Sequence, residues 1–186
     1  MEALDALLNR VSAPRLLDPA PTAQQREALF AAALRAPDHG QLRPYRFLTV
    51  EGQARQQLGE ILAEAVQAQG GEVTQAALDK ARAMPLRAPL VVVVVARLQE
   101  HFKVPKSEQL ITAGCAAHAI ELAAYAQGIG AVWRTGELSY APQVAKGLGL
   151  APNEEVVAFL YLGTAQNELR TAPKVDTAEF VTVWSA

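Results

Sequence analysis

The sequence of 186 residues has a single cysteine, Cys115, which excludes an intrachain disulfide and any CxxC redox pair. Redox chemistry here would have to come from a bound cofactor. Only three histidines occur, His39, His101 and His118, and no Cys/His or HExxH spacing could hold zinc, so no metal site is expected. GxGxxG and Walker patterns are also missing, which removes the Rossmann and P-loop ways of cradling a phosphate. Neither sign of charge dominates: 17 Lys and Arg stand against 19 Asp and Glu, for a net charge of −2. Non-specific nucleic-acid binding needs a broad basic field, which this balance does not offer; a local cationic pocket for one phosphate remains open. The longest apolar-rich stretch, Ile111 to Ala126, contains His118 and Glu121 and reads as a buried helix, not a membrane span. The opening MEALDALLNR has no basic region ahead of an apolar one, so no signal peptide is expected and the cytoplasm is the expected location.

What is present is a folding composition, 51% hydrophobic and 19% charged, at a length suited to one domain over residues 1–186. Leu4, Leu7, Leu8 and Val11 repeat at i, i+3, i+4, i+7 and predict an amphipathic helix. Thr22 with Gln25 reads as a capping box opening a second helix. RFLTVE (46–51) predicts a strand, and Leu58, Ile61, Leu62, Ala65 and Val66 mark a helix that stops at Gly70-Gly71. A further helix runs from Thr74 to about Ala83. LVVVVVA (90–96), with five valines in a row, suits a central strand covered on both faces. Ser107 is the expected N-cap of a long Ala-rich helix to Gln127, whose small side chains suit close approach by another helix. GAVWRTG (130–136) and EVVAFLYLG (155–163) predict strands, with a short helix around Val144 between them, and the tail EFVTVWSA has strand composition. The expected fold is α+β, with helices around a central sheet of four or five strands.

Candidate chemistry is dispersed. Cys115, His118 and Glu121 share a helix face loosely, but a Cys among alanines reads as packing. Three polar clusters remain, each at the edge of an apolar element: NRVS (9–12), RAPDHGQLRPY (35–45) and VWRTG (132–136). Together they offer guanidinium groups, a serine hydroxyl, amides and backbone N–H groups near glycines, the donors a phosphate or polar ring would use. Each also has a plain explanation: an arginine against a helix dipole, Pro37 and Gly40 as turn formers, Trp133 as packing.

In order along the chain, NRVSAPR, RAPDHGQLRPYRF, AAYAQGIGAVWRTG and VAFLYLGT resemble the FMN-dependent nitroreductase family, most closely its small YdjA-like members. Val11 departs from the pattern, which has Arg there, and Tyr45 replaces Trp. The resemblance implies a homodimer with a mixed central sheet flanked by helices and completed by the partner's C-terminal strand, and two FMN sites at the dimer interface. It implies that Arg10, Val11 and Ser12 hold the FMN phosphate and ring edge, with Arg35 as a second cation. Pro37, Asp38, His39 and Gln41 would reach a flavin of the partner subunit. Ala131, Val132, Trp133, Arg134, Thr135 and Gly136 would line the ring near N5. Arg15 closes the first motif but is given no role, and Arg170 and Lys174, the late cations available for a phosphate, match no motif and are left out of the site.

The activity implied is a hydride relay from NAD(P)H through FMN N5 to a nitroaromatic, quinone or similar electron-poor acceptor. The flavin carries that chemistry, so no catalytic side chain is assigned. No nucleic-acid or membrane partner is expected. Two other readings stay open at the level of sequence: a flavin-binding carrier or sensor without turnover, and a helical interaction module docking through its Ala-rich helix.

Overall fold

The computed structural model describes residues 1–185. In chain order the elements are α1 (Ala3–Asn9), β1 (Leu16–Leu17), α2 (Ala23–Ala33), β2 (Tyr45–Glu51), α3 (Ala54–Ala68), α4 (Gln75–Ala83), β3 (Leu90–Arg97), α5 (Lys106–Ala126), β4 (Gly130–Arg134), α6 (Pro142–Gly147) and β5 (Glu154–Ala165). The valine run forms the inner strand β3, paired with β2 on one side and β5 on the other. Successive side chains in a strand point to opposite faces. Val91, Val93 and Val95 therefore enter one core with Leu58 and Leu62 of α3 and Val144 of α6. Leu90, Val92, Val94 and Ala96 enter the other with Leu29 of α2 and Ala113, Ala117 and Ile120 of α5. All seven strand residues are at most 1% exposed, and burying each valine stabilises the fold by roughly 1.5–3 kcal/mol.

On the far side of β5 runs β4, and the two residues of β1 continue that edge by pairing with Thr164 and Ala165. Gly130 and Gly163 face each other where these strands meet. A Cβ on Gly130 would stand 2.5 Å from Leu16 Cδ2, and one on Gly163 would stand 2.9 Å from the Leu17 carbonyl. Glycine at both positions lets the segment after α1 lie down on the sheet edge. All four ladders are antiparallel. Among the described residues the sheet is therefore antiparallel throughout, where a mixed sheet is expected.

The capping box at Thr22 and Gln25 forms with both hydrogen bonds, and Thr74 caps α4. One expected cap is displaced. α5 starts at Lys106 behind Pro105, so Ser107 sits inside the first turn and caps nothing. A proline fits that N-cap position because its backbone is already extended there, at φ −67° and ψ 156°. Across the other end of the sheet, Arg46 of β2 grips Glu154 of β5 with two bonds of 2.7 Å, and Arg97 of β3 adds a third cationic contact.

Two parts of the chain leave apolar surface unburied. Leu4, Leu7 and Leu8 of α1 are 54–71% exposed, and only Ala6 of that helix is buried. Beyond a short 3-10 turn at Thr177–Glu179, the tail forms no strand up to Ser185, and Phe180, Val181, Val183 and Trp184 are 68–87% exposed. Ala186, the last residue of the expected tail strand, lies outside the described residues. No described helix is long and apolar enough to cross a membrane.

Candidate functional site

The edge strand β4 is free on its outer side, and the chain after α1 uses that freedom. Arg10 ends the helix with its N–H on the Ala6 carbonyl, and three residues later Ala13 N donates to Ala131 O at 2.8 Å. Residues 10–15 are thereby laid along β4 and turned toward the end of β5. Val11 and Ala13 point into the protein, so Val11 offers a ligand only its backbone. Ser12 and Arg15 instead face a pocket of about 290 Å³, whose opposite wall is Asn167 to Arg170, just after β5. Ser12, Arg15 and Arg170 bring a hydroxyl and two guanidiniums to this hollow, beside the carboxylate of Glu168.

A larger concavity, about 650 Å³, opens between β4 and α3. Phe159 and Tyr161 give it flat aromatic walls, and Gln69, Arg87 and Arg134 give it polar ones; Trp133 borders it from β4 while its side chain packs against the other core. Thr135 and Gly136, the end of the VWRTG motif, form its exposed rim. Ala131 and Val132 are buried in the two cores and position this rim. Arg134 links the two hollows: it lines the larger one, while its Nη2 donates to the carbonyl of Pro14, which lines the smaller, at 3.3 Å. Its guanidinium carbon lies 5.7 Å from the centre of the Tyr161 ring, and its buried Nε has no hydrogen-bond partner among the described residues. Burial pushes the Tyr161 hydroxyl above its usual range, while Arg87 and Arg134 oppose that shift. An orphaned buried donor is costly unless a further acceptor arrives.

The proline-rich connector is a separate piece. The Asp38 carboxylate accepts from the Leu42 and Arg43 N–H groups at 3.0 and 2.9 Å, and from Arg43 Nη1 at 2.7 Å. Its side chain is only 3% exposed, so its lone pairs are spent bracing the loop. That bracing holds Gln41 and Arg43 at φ 53° and 50°, in the left-handed region that non-glycine residues rarely enter. What the loop presents outward is Arg35, Pro37, His39 and Gln41, all exposed. His39 Nδ1 lies 2.6 Å from Glu108 Oε2, tying the loop to the first turn of α5.

The expected site residues thus fall into two groups. Arg10, Ser12 and 131–136 gather at the sheet edge. Arg35, Pro37, Asp38, His39 and Gln41 gather at the start of α5. Arg10 contacts α5 at Glu121 and His39 contacts it at Glu108. At 1.5 Å per residue these anchor points are about 20 Å apart along the helix. Several residues of the edge group carried no sequence signal. Arg170 comes to share a hollow with Ser12 only through the fold, and Gln69 and Arg87 enter from a helix end and a turn that read as scaffold. Glu121 did give a hint, since a carboxylate on the buried face of an Ala-rich helix calls for a partner.

Residues 7–164 match the Nitroreductase family model. The chain is 44% identical to "Putative NAD(P)H nitroreductase YdjA" of Escherichia coli K12 over 183 residues, covering 98% of this chain and 99% of that protein. Its fold is similar to that of the nitroreductase-like family protein from Bacillus cereus, with a TM-score of 0.85 at 19% identity, covering 100% of this chain and 97% of that one. It is similar as well to a variant of the FMN- and NADPH-dependent nitroreductase NfnB from Sphigopyxis sp. strain HMH, with a TM-score of 0.76 at 18% identity and full coverage of both chains. A family match over residues 7–164 and 44% identity over nearly the whole of both chains mean that this chain belongs to the nitroreductase family.

Proposed function

We propose that this protein is an FMN-dependent NAD(P)H oxidoreductase that works as a homodimer, reducing nitroaromatics, quinones or similar electron-poor compounds. The observation that carries the flavin is the pair of joined hollows at the sheet edge. The smaller has the hydroxyl and guanidinium groups of Ser12, Arg15 and Arg170, the chemistry a terminal phosphate needs. The larger has flat aromatic walls and the room a tricyclic ring needs. The unsatisfied Nε of Arg134 lies between them and suits a polar ring edge. When bound, FMN supplies the hydride transfer itself. The chain's own work is to hold the phosphate and to line the ring with the backbone of Trp133 to Gly136. Arg10 and Arg134 place positive charge where negative charge develops.

Surface area as well as the split site supports the homodimer. A monomeric protein of 19.9 kDa exposes about 8,700 Å². This chain exposes 11314 Å², an excess of roughly 2,600 Å² that matches one side of a large obligate interface. The exposed leucines of α1 and the apolar tail are the surface such an interface would cover. A second copy would bring its Pro37, His39 and Gln41 to the sheet edge, across a gap that one chain leaves open.

The test is spectroscopic. The purified protein is expected to be yellow, to sediment as a dimer, and to bleach when NADPH or NADH is added without oxygen. Bound flavin that neither nicotinamide reduces would leave a carrier or sensor in place of the reductase. A colourless monomer with no affinity for FMN would end the proposal.

A further inference from the structure

Glu121 is the one buried carboxylate that neither the core nor the proposed flavin contacts account for. Its side chain is 6% exposed, and Oε1 lies 3.8 Å from Arg10 Nη1 without a hydrogen-bond partner among the described residues. The backbone N–H of Trp133 on β4 faces the same carboxylate. Glu121 therefore stands between the two stretches assigned to the flavin, the end of α1 and the start of VWRTG. Burial pushes this carboxyl above its usual range, and Arg10, His118 and the Trp133 N–H pull it back. A carboxylate so placed is tolerated only while its cation stays near.

We propose that Glu121 is a positioning residue for Arg10, holding that guanidinium in place for the flavin site; this rests on the flavin reading above. α1 cannot do the holding, because it is short and keeps its leucines in solvent. Arg10, at the end of that helix, has no other ion pair among the described residues. A free guanidinium gives up many rotamers when a ligand arrives, whereas one already held does not. The opposing effect is repulsion between the carboxylate and an anionic ligand. The two effects predict opposite signs of coupling between Glu121 and Arg10, so one experiment separates them.

The experiment is a double-mutant cycle on flavin-free protein titrated with FMN and followed by quenching of flavin fluorescence. Arg10→Met is expected to weaken FMN binding about tenfold in the wild-type background and no more than about twofold in Glu121→Gln. Glu121→Asp, which keeps the charge but draws it back from Arg10, is expected to behave like Glu121→Gln. It also serves as the second variant if the glutamine does not fold, as judged by circular dichroism melts. An undiminished Arg10 effect in both Glu121 variants would assign the carboxylate a purely structural role and overturn the inference. Tighter FMN binding by Glu121→Gln alone would overturn it too, in favour of repulsion. A wild-type protein that binds no FMN would instead overturn the flavin reading itself, an outcome visible before any variant is made.

Discussion

The stretches LVVVVVA and EFVTVW share a β-branched and aromatic composition, yet the first is sealed inside the sheet and the second lies unpaired. β3 meets strands on both sides and a helical layer on both faces, so its valines are at most 1% exposed. The tail leaves the sheet after Ala165, and Val183 and Trp184 are each 87% exposed. Local preference is the same in both places. What differs is whether the chain itself supplies the neighbours. One part of this molecule is complete alone, and another leaves its apolar side chains in solvent, where the proposed second copy would cover them.

The largest effect expected from breaking that contrast comes from deleting residues 180–186. The truncated chain should sediment as a monomer and lose FMN affinity by about a hundredfold or more, because linked assembly and binding fail together. A dimer that survives the deletion with its flavin would assign the interface to α1 and α5 alone. Within the self-sufficient part, Val93→Ala opens a cavity in a fully buried row and should cost about 2 kcal/mol in denaturant unfolding. Val183→Ala should leave that unfolding free energy unchanged for the monomer and raise only the dimer dissociation constant.

Acid provides an intermediate effect. Arg46 above all, with help from the Ala151 N–H and Arg97, holds the Glu154 carboxyl down at about 2. A carboxyl depressed in the folded state contributes stability that is complete above its unfolded value near 4.5, and loses it as pH falls toward 2. Melting temperature should therefore drop across that window, and Arg46→Met should flatten the drop while lowering stability at neutral pH. The smallest effect belongs to Thr22→Ala, which removes one half of the capping box on α2. It should cost about 1 kcal/mol and leave FMN binding untouched.

Much of the scaffold could be read before the fold was known, because the signals were local. Five valines between turn formers, Thr22 with Gln25, and Gly70-Gly71 after an apolar stripe each carry their own physics within a few residues. Ser107 misled because a serine before an Ala-rich run looks like a cap, and Pro105 had already taken the extended position. The site was legible only through its motifs, and those gave identity without role. Asp38 reads as a ligand contact in RAPDHG, yet its carboxylate is occupied by Leu42 and Arg43 within its own loop. Arg15 and Arg170 are given no site role by sequence, and only the pairing of β1 with the end of β5 brings both beside Ser12. No pattern in one sequence encodes that kind of meeting.

The Gly130–Gly163 crossing touches neither hollow, but both walls of the smaller one hang from it. The segment carrying Ser12 and Arg15 runs into β1, and the segment carrying Arg170 leaves β5 just past Gly163. A single methyl group at Gly163 would press on Pro89 and on the Leu17 carbonyl and drive those two walls apart. Alanine at position 163 would thus change the spacing of Ser12, Arg15 and Arg170, and with it the affinity for the proposed ligand, from a place outside the hollow.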